Sequence, residues 1–151
     1  MNRVELTKKM MLNFIESEIA NYYYHVGMAQ KIDKKIDETR QEYYDRLGSP
    51  MRSTSVIKVS KNGSPRNNWI VSMESKINEL EEKRDAELAH VEMVDRWLSE
   101  IPFEEKHLQV IELSVKKGVD PKTVSEEVGC KENSVYKIKN RVFSKILSRF
   151  F

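Results

Sequence analysis

Apolar residues recur in the first part of the chain with the spacing of a helix that packs against another helix. Successive apolar positions over residues 12–29 are separated by three and four residues in turn, and no proline interrupts residues 4–47. Alternating steps of three and four keep one stripe of a helix facing a partner. The pattern predicts one long helix over residues 4–47, with a seam formed by Leu12, Ile15, Ile19, Tyr22, Val26 and Ala29.

The same spacing returns in a second segment, after a stretch that lacks it. Residues 69–100 resume the alternating steps, and Arg84 and Glu87 occupy seam positions in the same register. Polar residues in an apolar seam usually fix the register or the number of partners. We therefore expect the second helix to fold back on the first as a long antiparallel, coiled-coil-like hairpin, which favours homodimerisation because neither seam buries every apolar residue.

The segment between the two helices, residues 48–68, has the composition of a loop. It contains two Gly-Ser-Pro triplets and many serines, and only the sequence VIKV at 56–59 suggests a brief strand. Two interpretations remain for it: a flexible connector, which we favour, or a basic arm that contacts phosphate groups. The second rests on four cations without acidic neighbours, Arg52, Lys58, Lys61 and Arg66.

Shorter amphipathic segments follow Pro102, where we place a domain boundary. A third helix is expected to start near Phe103 and to close at Gly118, with an apolar set of Leu108, Ile111 and Val115. The sequence thus predicts an all-α protein of two domains. Residues 1–101 form the helical hairpin, and residues 102–151 form a helix-turn-helix domain.

Residues 120–140 have the spacing of two short helices that cross over a tight turn. Asp120 suits a helix cap, Pro121 suits the first helical position, and Gly129 is free to take a positive φ where the helix ends. The second helix is expected from about Glu132 to Ser148 or beyond. Its buried stripe consists of Val135, Ile138, Val142, Ile146 and Phe150. This arrangement is typical of a helix-turn-helix.

Charge distinguishes this last helix from the rest of the chain. The formal net charge is +2 overall, whereas residues 131–151 contain six cations and one anion. A basic patch on one helix is typical of a surface that binds phosphate groups. We therefore expect double-stranded DNA as the partner, with the last helix in the major groove.

Residues near the start of that helix are the candidates for contact with bases. They are Glu132, Asn133, Tyr136, Lys137 and Asn140. Asn133 suits adenine and Lys137 suits guanine. Candidates for contact with phosphate groups are Lys122, Thr123, Lys131, Ser134, Lys139, Arg141 and Lys145. For each residue the alternative is a solvated surface group.

The segment IELSVKKG at 111–118, followed by the helix-turn-helix, resembles region 4 of bacterial sigma factors. In a chain of this size it is similar to phage-encoded late-gene transcriptional regulators of the ArpU and RinA type. The motif match covers residues 101–147, and Lys131 stands where such modules carry a capping serine or threonine. The resemblance implies activation of phage or prophage genes, with contact to host RNA polymerase.

Other function classes are disfavoured. The sequence lacks a glycine-rich phosphate loop, a metal-ligand motif and a nucleophile–base set, so we expect neither an enzyme nor a cofactor or metal. His25, His90 and His107 are scattered and are interpreted as surface or packing residues. A single cysteine and the lack of an apolar run of about 20 residues predict a cytoplasmic protein outside the membrane.

Two alternatives to a transcriptional regulator remain open. A small terminase subunit for DNA packaging also joins a helix-turn-helix to oligomerising helices, and it would form a ring. A protein-binding adaptor or inhibitor would use the sigma-like module to occupy a partner, without binding DNA.

Overall fold

A computed structural model describes residues 2–48 and 65–151, with the side chains of the second range described from residue 68 onward. Every regular element in these ranges is helical, which confirms the all-α class. The elements are α1 (Arg3–Ala20), α2 (Tyr22–Leu47), α3 (Pro65–Glu100), α4 (Glu105–Val110), a π-helical turn (Ile111–Lys116), α5 (Pro121–Val128) and α6 (Glu132–Phe150). None of the described helices combines the length and apolar character that a membrane span requires.

The first predicted helix is interrupted at one residue. Asn21 lies between α1 and α2 with φ −91° and ψ 7°, outside ideal helical geometry. Its N–H still donates to the carbonyl of Ser17, and the N–H of His25 donates to the carbonyl of Asn21. The interruption is therefore a local distortion. Asparagine suits it, because its short polar side chain competes with backbone hydrogen bonds and disfavours helix interiors.

The second long helix begins earlier than predicted. It starts at Pro65 rather than Trp69, because a proline is well tolerated in a first turn whose N–H groups have no partner within the helix. The brief strand at 56–59, the basic-arm interpretation and most of the predicted loop lie outside the described residues.

The third predicted helix has two parts. It begins at Glu105 rather than Phe103, and six residues of α4 pass directly into the π-helical turn, which the sequence did not indicate. The N–H of Lys117 donates to the carbonyl of Glu112 at 3.0 Å, five residues back. Gly118 then ends the segment with φ 65°. The wider turn shifts the spacing of apolar residues by one position within a segment of six residues, which is too short for hydrophobic periodicity to reveal.

The described chain separates into two compact units. Unit 1 comprises Met1–Val26 with Ala89–Phe151, and unit 2 comprises Gly27–Leu88. Both α2 and α3 contribute to both units. The domain assignment of residues 1–101 and 102–151 remains a prediction.

Unit 1 contains two neighbouring apolar clusters. The larger consists of Ile15, Ile19, Val94, Trp97, Ile111, Val115, Val142, Phe143 and Ile146. The smaller consists of Val110, Val124 and Val135. Ile138 packs against both clusters, so the buried face of α6 links them. Trp97 and Phe143 are buried outside the seams predicted for their helices, because more than one neighbour covers those helices.

Unit 2 has a narrower interior. Its buried residues are Ala29, Ile36, Thr39, Met73 and Leu80. Charged groups join the two helical segments beside them. Arg40 pairs with Glu81 at 2.6 Å, and Arg84 pairs with Asp33 at 3.1 Å. The predicted polar seam position Arg84 is thus in contact with the other segment.

Aromatic packing continues the same contact within unit 2. The rings of Tyr43 and Trp69 stack with centroids 5.4 Å apart and planes 13° apart. The guanidinium of Arg46 lies 4.2 Å from the centroid of the Trp69 ring. As residue numbers rise from 33 to 43 in α2, their partners in α3 fall from 84 to 69, so the two segments run in opposite directions.

Candidate nucleic-acid interface

The start of α5 is fixed by one carboxylate. The backbone N–H of Thr123 donates to Oδ2 of Asp120 at 3.1 Å, and the Thr123 hydroxyl donates to Oδ1 at 2.8 Å. These hydrogen bonds hold the pKa of Asp120 below its usual value, because they favour the ionised carboxyl. The predicted cap at Asp120 and the predicted proline at the first helical position are both present.

The turn after α5 depends on a glycine. Gly129 has φ 78° and ψ 44°, the left-handed conformation that a side chain disfavours. The N–H groups of Gly129 and Cys130 both donate to the carbonyl of Ser125, at 2.9 and 3.0 Å. The helix α6 begins at Glu132, two residues after Cys130, so a tight turn joins α5 to α6. The sequence predicted the glycine that ends α5.

The buried side of α6 matches the predicted stripe. Val135, Val142 and Ile146 are completely buried, and Ile138 and Phe150 are partly buried. Lys131 precedes the helix in an extended conformation, and its side chain makes no capping hydrogen bond. Burial, rather than a cap, therefore fixes the orientation of α6.

The opposite side of α6 is open to solvent. All five residues predicted to contact bases, Glu132, Asn133, Tyr136, Lys137 and Asn140, are exposed. We call these five residues and Arg141, which is also exposed, the outer face of α6. Tyr136 retains 51% of its accessible surface. The outer face is thus accessible to a partner, while its contact with DNA remains a prediction.

The residues predicted to contact phosphate groups differ in their surroundings. Lys122, Lys131, Arg141 and Lys145 are exposed, whereas Ser134 and Lys139 are partly buried. Nζ of Lys139 lies 5.6 Å from the centroid of the Tyr136 ring, and Nζ of Lys145 lies 5.8 Å from that of Phe103. The Thr123 hydroxyl already donates to Asp120, so a phosphate contact would require that hydrogen bond to break.

The cations of α6 are not neutralised locally. None of Lys137, Lys139, Arg141, Lys145 and Arg149 forms an ion pair with a carboxylate of the described residues. Their charge is therefore available to a polyanion. This differs from an ordinary solvated helix face, where opposite charges one turn apart often pair.

A groove between α6 and the start of α4 adds residues that the sequence did not assign to the site. It is lined by Glu104, Lys106, His107, Ser134, Lys137, Ile138 and Arg141. Lys106 brings a further cation beside Lys137 and Arg141. His107 is buried, and its Nε2 lies 3.7 Å from Oε2 of Glu104. No local signal in the sequence joins Lys106 to α6, since about thirty residues separate them.

Comparison with protein-family models, with curated proteins and with solved structures finds no match. The functional conclusion therefore depends on the residues, the contacts and the sequence pattern of this chain.

Proposed function

We propose that this protein is a sequence-specific DNA-binding regulator that activates transcription of phage or prophage genes. In this proposal α5 and α6 form a helix-turn-helix, and α6 enters the major groove. One observation carries it. The inward residues Val135, Val142 and Ile146 are completely buried, while the opposite side of the same helix exposes amide, phenol and cationic groups.

The outer face of α6 has the chemistry needed to distinguish bases. An asparagine amide forms two hydrogen bonds with adenine, and a lysine ammonium donates to the acceptors of guanine. Asn133 and Lys137 lie four residues apart, one turn of helix, so both can face the same groove. The Glu132 carboxylate accepts hydrogen bonds and suits the amino group of cytosine.

Phosphate contacts supply affinity and orientation in this proposal. Lys122 at the start of α5 and Arg141 and Lys145 on α6 are exposed cations on both helices of the pair. Lys106, which lines the groove beside α6, adds a fourth cation. Neutralising phosphate groups releases counterions, so binding should weaken steeply as salt rises.

Unit 2 supports a homodimer in the same proposal. Its two helical segments bury one narrow seam and expose large apolar side chains, among them Tyr44 at 62% and Val71 at 64%. A second copy would cover more of that surface. A dimer would also carry two copies of α6, as proteins that bind two DNA half-sites do.

Activation and contact with host RNA polymerase rest on the sigma-like resemblance of residues 101–147. They would be tested by transcription from a selected operator with purified polymerase.

The decisive experiment is selection of binding sites from random duplex DNA, followed by anisotropy titrations on the selected and on scrambled sequences. The Asn133→Ala and Lys137→Ala variants should each lose about 1–3 kcal/mol on the selected sequence and little on the scrambled one. The Arg141→Ala and Lys145→Ala variants should weaken both sequences alike, and each should reduce the salt slope by about 1.

A matched control removes a cation from a helix that is not part of the proposed DNA-binding surface. The Lys34→Ala variant removes one exposed cation from α2, as Arg141→Ala and Lys145→Ala each remove one from α6, and should leave DNA affinity unchanged. Equal losses on selected and scrambled DNA for Asn133→Ala and Lys137→Ala would contradict the assignment of base contacts. Negligible DNA binding at low salt would favour the adaptor or inhibitor, and a native mass of a ring would favour the terminase subunit.

A further inference from the structure

Three helices of unit 1 bring one potential metal ligand each to the same place. Glu18 lies on α1, His25 on α2 and His90 on α3. Nδ1 of His90 is 2.8 Å from Oε2 of Glu18. The imidazole rings of His25 and His90 stack with centroids 4.2 Å apart and planes 6° apart. One ligand atom from each residue lies within 4.8 Å of the other two.

This convergence does not follow from a local motif. Glu18 and His25 are seven residues apart, about 10.5 Å along a helix at 1.5 Å per residue. Their side chains approach each other because both reach His90, which lies more than sixty residues later in the chain. The distortion at Asn21 falls between them.

The ligand set has the chemistry of a zinc site. Zinc binds histidine nitrogen and carboxylate oxygen, and two histidines with one glutamate form a known type of site in which water completes the tetrahedron. Imidazole ligands also suit cobalt, nickel and copper, whereas magnesium and calcium prefer sites made of oxygen. All three residues are partly exposed, so an ion and a water molecule can reach them.

We propose that Glu18, His25 and His90 form a binding site for a zinc-like divalent cation, with water as the remaining ligand. Metal–ligand bonds of about 2.0–2.2 Å place tetrahedral ligand atoms roughly 3.3–3.5 Å apart. The Glu18–His90 distance must therefore widen, and the nitrogen of His25 must move inward. Because an imidazole lone pair lies in the ring plane, at least one ring must rotate out of the parallel stack.

The bound ion would cross-link three helices that contribute side chains to the larger apolar cluster. Ile19, next to Glu18, and Val94, one turn after His90, are both completely buried in that cluster. An ion held by α1, α2 and α3 would thus stabilise the scaffold against which α6 packs. This role is independent of the proposed function, because none of the three ligands lies on the outer face of α6.

The test uses the full chain, stripped of metal and titrated with zinc and with cobalt(II). We expect one ion per chain, a higher melting temperature with zinc, and the visible absorption of tetrahedral cobalt with nitrogen and oxygen ligands. The His25→Ala and His90→Ala variants should bind at least about 10- to 100-fold more weakly, since even outer-sphere substitutions have effects of that size. Glu16→Gln, an exposed residue on the same helix as Glu18, should bind as the wild type does.

Circular dichroism of each metal-free variant comes first, and His25→Gln and His90→Gln replace any alanine variant that does not fold. Failure to bind one zinc ion per chain would overturn the proposal. So would unchanged affinity in folded His25 and His90 variants. A sulfur-to-cobalt charge-transfer band would also overturn the proposal, because it would show that the ion binds Cys130, the single cysteine.

Discussion

The two compact units use helices of the same kind and stabilise them differently. In unit 1, helices from both ends of the chain surround two apolar clusters linked by α6, and ten large side chains in the described residues are fully buried, nine of them in this unit. In unit 2, two segments bury one seam, and only Ile36 among its described large residues is fully buried. A helix contacted from one direction hides one stripe, whereas a helix contacted from several directions hides most of its circumference.

Charge pairing also differs between the two units. Two arginines of unit 2 pair with carboxylates on the opposite segment, Arg40 with Glu81 and Arg84 with Asp33. The α6 cations have no such partner among the described residues. The paired charges contribute to contact between two segments of the chain, while the unpaired cations of α6 leave their charge open to a partner.

The largest effect is expected from a charge placed in the core of unit 1. Val135→Asp should destabilise the folded state by about 4 kcal/mol or more, because the carboxylate is buried without a partner. Thermal unfolding followed by circular dichroism measures the loss. Val4→Asp makes the same chemical change at a position of unit 1 that is 77% exposed and should stay within about 0.5 kcal/mol. Similar losses at both positions would contradict the complete burial of Val135 in unit 1.

A smaller effect is expected from core truncations, whose dependence on protein concentration should differ between the two units. Ile146→Ala in unit 1 should cost about 2–5 kcal/mol of unfolding free energy, regardless of protein concentration. The loss of unfolding free energy caused by Ile36→Ala in unit 2 should increase when the protein is diluted. A second copy stabilises that unit in the proposed homodimer, and dilution favours dissociation. Urea unfolding at two widely separated concentrations compares them. Identical behaviour at both, with a monomer at high micromolar concentration by sedimentation, would reject dimerisation through unit 2.

An alkaline titration probes a polar contact at the surface of unit 1. Burial, with the hydrogen bond that the Tyr22 hydroxyl donates to Asp95 at 2.8 Å, raises the pKa of Tyr22 from 10.0 to about 12. The folded pKa exceeds the unfolded one, so this stabilisation is complete below pH 10 and is lost as pH rises towards 12.

Near-ultraviolet absorbance of phenolate should therefore show a late ionisation step in the wild type that Tyr22→Phe reduces. Tyr44→Phe, at a residue exposed to 62%, is the control that removes a phenol without affecting the hydrogen bond between Tyr22 and Asp95. Tyr23 contributes to the same region, since its hydrogen bond to Glu112 also raises its pKa. A late step of undiminished size in Tyr22→Phe would contradict the contact with Asp95.

The smallest effect is expected at the polar seam position of unit 2. Arg84→Ala removes the pairs with Asp33 and Asp85, at 3.1 and 3.2 Å, and should lower the melting temperature slightly at low salt. At about 1 M salt the difference from wild type should disappear, because exposed ion pairs are screened. A difference that persists at high salt would show that Arg84 acts through packing. A changed sedimentation mass would show that it sets the number of partners.

Sequence and structure agree best where the signals are local. Asp120, Pro121 and Gly129 specify α5 and its turn within ten residues, and the steps of three and four residues from Val135 fix the buried stripe of α6. These features were predictable because capping, proline geometry and positive φ are properties of single residues and their near neighbours. The five exposed candidates for base contact follow from that stripe, since they occupy the other side of the same helix.

The chain alone therefore determined the helical class, the α5–α6 pair and the excess of cations on its last helix. Tertiary packing decided the rest: the π-helical turn, the burial of Trp97 and Phe143, and the placement of Lys106 beside α6. It also brought His90 to Glu18 and His25. Each of these features depends on which distant segments pack against a helix. Hydrophobic periodicity shows that one face of a helix is buried, but it does not show which segment buries it.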